Sequence, residues 1–416
     1  MRTQTDRQRR SVLNSIAPGD LLVAGQVLGE PTALLDVLFT ERLPKVRLFA
    51  GMSLTSVLEG APEPVELLSF VGMGSNARLL AQGRMQLIPC HMSELAGSVT
   101  TGPLRPEVAV VLVSPPDSDG MCSLGVAADY IWPAVTAAPV VLAELNSNVP
   151  RIPGDTAIPF DRITAFVESD RPLPDYPRAA PSDTDQLIAK RVAEFVRDGS
   201  CIQIGVGKLG DAVLSAASDR RDLGVHTGMV GESILELVRD GVVTNARKTV
   251  DTGLTVAGSI LGGHDAVALA AATPGLRLRA VDHTHAPAVI SALDNFLSVN
   301  SAIEVDLFGQ VNAEVAGGRY LGGIGGSVDY LRPAVRALGG RSVIALPATA
   351  RGGVSRIVPQ VSRITVARSD VDVVVTQYGS AELRGVSEHE RARRLIELAA
   401  PEHRDGLRRA AGELGL

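Results

Sequence analysis

The feature that most constrains this chain is a set of short apolar runs that do not alternate with polar residues: VAVVLVSPPD (Val108 to Asp117), PVVLAEL (Pro139 to Leu145), CIQIGVG (Cys201 to Gly207), SVIALPATA (Ser342 to Ala350) and VDVVVTQYG (Val371 to Gly379). Such runs pass into Gly, Pro or Ser turns and then into amphipathic segments. A strand that is apolar on both faces must be covered on both, which is the condition of a parallel sheet flanked by helices. The expected fold class is therefore α/β. The chain has 416 residues, and at about 150 residues per domain that predicts two or three domains. The proline-rich stretch DRPLPDYPRAAPSDTDQ (Asp170 to Gln186) disfavours both helix and interior strand and reads as a linker. It divides the chain into domains of residues 1–180 and 181–416. After it, IAKRVAEFVRDG (Ile188 to Gly199) has the pattern of an amphipathic helix closed by glycine. Ser387 to Leu416 reads as charged surface helices, and the Gly/Ala-rich stretch Leu254 to Ala272 as tightly packed backbone.

Composition removes several functional classes. A net charge of -6 with only 3% aromatic residues supplies neither the basic footprint nor the stacking platform of a nucleic-acid binder. The longest stretch free of Asp, Glu, Lys, Arg and His is about 14 residues, Tyr130 to Ala143, short of the ~20 needed to span a bilayer. No membrane partner is expected. The opening MRTQTDRQRRSVLNS lacks the apolar core of a secretory signal, so the expected location is the cytoplasm. Cys90, Cys122 and Cys201 are far apart and show no metal-ligand spacing; they read as small core residues, with no metal expected. What remains is an enzyme acting on small neutral or anionic molecules.

Two glycine clusters stand where α/β proteins bind ligands, at strand ends. The first is GVGKLGDAV, with Gly205, Val206 and Gly207 between an expected strand and an expected helix. Glycines let backbone approach a ligand, and a helix N-terminus offers N–H groups to an anion or a developing oxyanion. No acidic ribose-binding residue follows cleanly and no GK[ST] follows, so neither a dinucleotide nor a Walker site is indicated; an ordinary turn is the plain alternative. The second is YLGGIGGSVDYLRPA, dense in glycine over Gly322, Gly323, Ile324, Gly325 and Gly326. It reads either as a backbone cradle for a thioester carbonyl or phosphates, or as a crowded strand crossing.

Longer segments carry a resemblance. VSPPDSDGMCSLGVAADY (Val113 to Tyr130), NSNVPRIPGD (Asn146 to Asp155), IQIGVGKLGDAVL, NSAIEVDLFGQVNAE (Asn300 to Glu314), GGIGGSVDYLR and IALPATARGGVSRIVPQ (Ile344 to Gln360) resemble, in order, the acetyl-CoA hydrolase/transferase family, the 4-hydroxybutyrate CoA-transferases included. The resemblance implies two similar α/β domains with mainly parallel sheets, an active site in the cleft between them, and a homodimer. It implies coenzyme A, as acyl-CoA, for substrate, with its pantetheine arm in that cleft. It also implies that backbone amides near Val206 and in Gly323 to Gly326 form an oxyanion hole, each amide worth ~3 kcal/mol in the transition state.

The chain departs from the family at its nucleophile. Where the family has a segment resembling LGIHTEM, whose glutamate attacks the acyl-CoA, this chain reads LGVHTGM (Leu223 to Met229), so the position falls on Gly228. Glycine has no group to form a covalent intermediate. Glu232 follows four residues later and shares a face with Gly228 if a helix begins there, with Glu236 continuing it; an ordinary amphipathic helix is the plain alternative. Glu304 matches a family glutamate beside the nucleophile and reads as a residue that orients active-site backbone, or as a replacement nucleophile. A second departure is VDHTHAP (Val281 to Pro287), against a family segment like VDYTNDP. In an extended segment His283 and His285 point to one face and can serve as base and proton shuttle; a surface pair is the alternative. His226 alternates to the side of Gly228 and is a further candidate base. His91, beside Ser93 and Glu94, reads as lining the cleft without a catalytic role.

The expected function is direct, single-displacement acyl transfer from acyl-CoA to water or a small acceptor. Two alternatives stand beside it. One is an ordinary ping-pong CoA-transferase using Glu232 or Glu304. The other is an inactive acyl-CoA-binding protein.

Overall fold

The valine run Val108–Val113 becomes a strand buried at every position, and the other apolar runs also supply strands. In the computed structural model, which describes residues 2–41 and 43–416, the strands fall in chain order as follows. β1 is Leu21–Ala24, β2 Val46–Ala50, β3 Val65–Ser69, β4 Met85–Leu87, β5 Val108–Val113, β6 Met121–Ser123, β7 Val140–Asn146, β8 Ala157–Pro159 and β9 Ala165–Ser169. Then come β10 Cys201–Ile204, β11 Gly224–Val230, β12 Thr255–Ile260, β13 Leu276–Leu278, β14 Phe296–Ser301, β15 Glu304–Asp306, β16 Val311–Asn312, β17 Val315–Ala316 and β18 Arg319–Tyr320. β19 is Arg341–Ala345, β20 Ile357–Val358, β21 Val373–Thr376 and β22 Gly379–Glu382.

These strands belong to two compact units, and the class is α/β with mainly parallel sheets. The first unit runs to Pro177 and takes in Gly228–Glu232 and Val256–Thr284. Its sheet has the order β4-β3-β2-β1-β5-β7-β9, all parallel. One face carries Leu21, Phe49, Val111, Tyr130 and Val141; the other carries Leu22, Leu35, Leu48, Val110 and Leu142. Each such side chain contributes about 1.5–3 kcal/mol on burial. The second unit is Arg178–Thr227, Ser233–Thr255 and His285–Leu416. Within it β10 pairs in parallel with β11 and β14, β14 with β19 and β19 with β21, while β22 closes the edge antiparallel. A small sheet β16-β15-β20 is separate from these strands.

A single cut at 180/181 does not describe this division, because two later segments return to the first unit. The cause is backbone pairing: Gly258 O accepts N–H groups from Ala128 at 2.8 Å and Asp129 at 3.1 Å, and Gly154 bridges Leu278. Glycine on β12 permits the approach, since a Cβ at Gly258 would lie 2.8 Å from Gly228 O. The linker is shorter than the prolines imply. A helix already begins at Asp183, where Ser182 and Asp185 form a reciprocal capping box, and it ends at Ala193. The C-terminal helices are Glu388–Leu398 and Pro401–Glu413. Cys122 and Cys201 are buried and all three cysteines are free thiols; burial pushes the Cys201 thiol up to about 12. Among the described residues no helix is long and apolar enough to cross a membrane.

Candidate active site

In an open parallel sheet, ligands bind outside the carboxyl ends of the strands where the strand order reverses. In the second unit that point lies between β10, which continues into Gly205, and β14, which ends at Asn300 and Ser301. The Gly205 N–H is spent on Val299 O at 2.9 Å, which ties the loop to β14. Val206 is exposed at 41%, unusual for a valine between buried elements. Gly207 has φ 122 and open space where a side chain would stand, and the helix Lys208–Ala216 starts immediately after it. Asn300 faces this loop: its Oδ1 lies 3.8 Å from where a Gly205 Cβ would be. The Asn300 amide donates to Gln203 Oε1 at 3.1 Å and to Ser298 Oγ at 2.9 Å, so its orientation is fixed by its own sheet.

The second glycine cluster divides into two uses. Gly322 is a packing glycine, because a Cβ there would meet Ala313 O at 2.0 Å. Gly325 has φ 55 with nothing within 4 Å of a Cβ, so a left-handed turn, not crowding, calls for glycine there. Gly323, Ile324, Gly325 and Gly326 are half-buried and lead into the helix Ser327–Ala334.

Glu304 opens β15. Its Oε2 accepts from the buried Asn312 amide at 3.0 Å, and Asn312 Oδ1 in turn accepts the N–H groups of Glu314 and Val315 at 3.0 and 3.1 Å. Glu304 thus orients backbone. β15 and β20 run parallel with Val305 opposite Ile357, which sets Arg356 beside Glu304 on the neighbouring chain segment. Burial pulls the Arg356 guanidinium below its usual range, partly offset by Glu304 and Asp185.

In the first unit, Gly228 lies within β11 and is half-buried, and its φ is outside the left-handed region. A helix does not begin there, which corrects the shared face expected for Gly228 and Glu232. The β-branched Val225, Thr227 and Val230 favour the extended backbone, and the helix begins only at Glu232, running to Arg239. Glu232 Oε1 accepts the Gly263 N–H at 3.1 Å, and Gly263 is the N-cap of the helix His264–Ala271. Its carboxylate thereby compensates the positive end of that helix. Glu236, in the second unit, pairs with Arg178 at 3.2 Å.

The extended backbone expected for VDHTHAP is also not found. Val281–Thr284 is a helical turn, with His283 half-buried in it and His285 just beyond. Residues two apart on a helical turn point in widely different directions. His285, in the second unit, is 4% exposed and packs on the Tyr330 ring, centroids 4.8 Å apart. Burial pushes its imidazole down to about 3, so it is neutral near pH 7. His226 is fully buried in β11. Within the second unit, His226 and Asp251 bring one ligand atom each to within 4.8 Å of one another, a pair able to contribute to holding a cation. His91 caps the helix Met92–Thr100, its backbone N–H donating to Glu94 Oε2 at 3.1 Å.

Three residues of these units escape a reading of the sequence: Asn300, Arg356 and Asp129. All three lie in segments already conspicuous for their resemblance, but nothing in their spacing singles them out. Asp129 is buried in the first unit, where Oδ2 accepts from Gln26 Nε2 at 2.8 Å and Oδ1 from the Ile131 N–H at 3.1 Å. Burial raises its carboxyl to about 6.

Residues 13–175 match the acetyl-CoA hydrolase/transferase N-terminal domain, and residues 263–411 match the C-terminal domain. The 4-hydroxybutyrate coenzyme A transferase of Clostridium kluyveri is 37% identical over 81% of this chain and 80% of its own length. The chain belongs to the acetyl-CoA hydrolase/transferase family. The butyryl-CoA:acetate CoA-transferase of Anaerostipes caccae is 29% identical over 94% of this chain and 92% of its own. Among solved structures, RipA from Yersinia pestis superposes with TM-score 0.91 at 31% identity, covering 99% of each chain. The 4-hydroxybutyrate CoA-transferase of Porphyromonas gingivalis gives 0.81 at 31%, covering 98% of this chain and 97% of its own. The family therefore includes relatives named as CoA-transferases and, in Kluyveromyces lactis, as an acetyl-CoA hydrolase.

Proposed function

We propose that this protein transfers the acyl group of an acyl-CoA directly to water or to a small nucleophilic acceptor, without a covalent enzyme intermediate. The observation that carries this reading is Gly228. It stands where the family's attacking glutamate is expected, in an extended strand whose backbone any residue can adopt, and it offers no side chain. The missing side chain leaves room for an acceptor in the nucleophile's place.

Backbone amides near Val206 and in the loop Gly323–Gly326 are assigned to the thioester carbonyl, since the Gly205 N–H is spent on Val299 O and the Gly322 N–H on Glu314 O. Backbone N–H groups aimed at the position of the developing oxyanion lower the barrier because they need no reorganisation. A polar acceptor also needs a base. His285, held neutral at about 3, is too weak a base for proton transfer near neutral pH. His226 lies fully buried. His283 is the assigned base: it is half-buried and belongs to the same unit as Gly228.

One observation favours a second reading. Glu304 engages Asn312 through Oε2, which leaves Oε1 as the carboxylate oxygen for a ping-pong CoA-transferase. Free-thiol release from short acyl-CoAs, with and without acetate, separates the two. Direct transfer to water predicts release at the same rate in both conditions; the ping-pong reading predicts release replaced by formation of acetyl-CoA when acetate is present. The homodimer and cytoplasmic location belong to this proposal, and light scattering of the purified protein checks the dimer.

A further inference from the structure

Arg356 stands in the second unit's candidate site as a cation whose two neighbouring carboxylates each also hold another group. Its Nε is buried and has no hydrogen-bond partner. The two carboxylates that act on it electrostatically are Glu304 and Asp185. Glu304 spends Oε2 on the Asn312 amide at 3.0 Å, and Asp185 pairs with Lys208 Nζ at 2.9 Å and accepts from Ser182. The main chain of Arg356 is held on both sides, its N–H donating to Ala348 O and its carbonyl accepting from the Val305 N–H, each at 2.9 Å. So the side chain is presented from a fixed point, just after the exposed loop Arg351–Val354 and beside the strand that carries Glu304. A half-buried guanidinium loses hydration, and the attraction of Glu304 and Asp185 offsets that loss only in part.

We propose that Arg356 binds an anionic oxygen group of the substrates, a carboxylate or a phosphate, and so sets which acyl chains, acceptors or CoA forms the site accepts. A planar guanidinium suits both groups, since it can give each two parallel N–H donors. The proposal rests on the reading of this site as one for acyl-CoA, but its test does not require turnover.

Titration calorimetry on the full chain and on Arg356→Gln and Arg356→Lys, with CoA, pantetheine and succinate as probes, decides it. Pantetheine lacks the phosphates and succinate carries only carboxylates. Arg356→Gln is expected to weaken CoA or succinate by about tenfold or more, the range of a charge-assisted contact. Pantetheine is expected to change by less than about threefold, and Arg356→Lys to recover part of the loss. A loss confined to CoA assigns the phosphate, and a loss confined to succinate assigns the carboxylate. An equal loss for pantetheine, no loss for either anion, or failure of the unaltered protein to bind either anion overturns the proposal. Thermal unfolding of each variant serves as the folding control, and a binding loss shared by all three probes counts against it. If acyl-CoAs prove not to be turned over while the anion effect persists, the functional reading fails and this one stands.

Discussion

His285 should make the protein less stable in mild acid, by an amount that its burial sets. Its imidazole titrates at about 3 in the folded chain against 6.5 when free. The folded value is depressed, so the contribution is fully present above pH 6.5 and is lost as the pH falls from 6.5 toward 3. At pH 5 the unfolded chain holds almost a full proton that the folded chain cannot accept. The difference of about 1.5 pH units corresponds to about 2 kcal/mol, and near pH 3 to about 4–5 kcal/mol. His285→Gln keeps a donor and an acceptor but cannot titrate. Urea unfolding of both proteins at about pH 7 and pH 5, followed by far-ultraviolet circular dichroism, isolates the effect, because every other titrating group is common to the two. Lost packing on Tyr330 weakens the variant equally at both pH values. The unaltered protein is expected to lose about 2 kcal/mol more than the variant between pH 7 and pH 5. Parallel losses, within about 0.5 kcal/mol, would refute the claim that this imidazole is buried and neutral.

Asp129 acts in the opposite sense. Its carboxyl is raised to about 6 from 3.8, so the folded chain bears a cost above pH 6 that disappears as the pH falls toward 3.8. The full cost is about 3 kcal/mol. Asp129→Asn should abolish this pH dependence while giving up one acceptor contact, to Gln26 or to Ile131; unfolding curves at about pH 8 and pH 5 check it. Glu232→Gln should lower stability by about 0.5–1 kcal/mol through the weakened start of the helix His264–Ala271, with thioester cleavage unchanged. A fall in cleavage beyond about tenfold without a matching fall in stability would return Glu232 to the chemistry.

The architecture is legible in the sequence because its strands are apolar on both faces, and runs such as Val108–Val113 and Val373–Thr376 have no other use. The glycine loops are legible for a similar local reason: their residues announce a backbone demand. What depends on contacts between distant segments is not. The return of Val256–Thr284 to the first unit hangs on Gly258 O meeting the Ala128 and Asp129 amides, and no periodicity records such a pairing. VDHTHAP misleads because two histidines at alternate positions suit an extended segment as well as a helical turn, and only packing selects the turn. The element that carries Gly228 is ambiguous in the same way, since a glycine ahead of GESILELVRD fits the start of a helix on propensity alone. Arg356 gives no signal, because an isolated arginine is ordinarily solvated and only burial of its Nε marks it out.

The central claim is that the chemistry proceeds with no glutamyl intermediate, because Gly228 cannot supply one. Intact-protein mass spectrometry during turnover of a short acyl-CoA, quenched with hydroxylamine or borohydride, tests it directly. The account predicts thiol release with the protein mass unchanged throughout. A trapped modification that maps to Glu304 or Glu232 would contradict it.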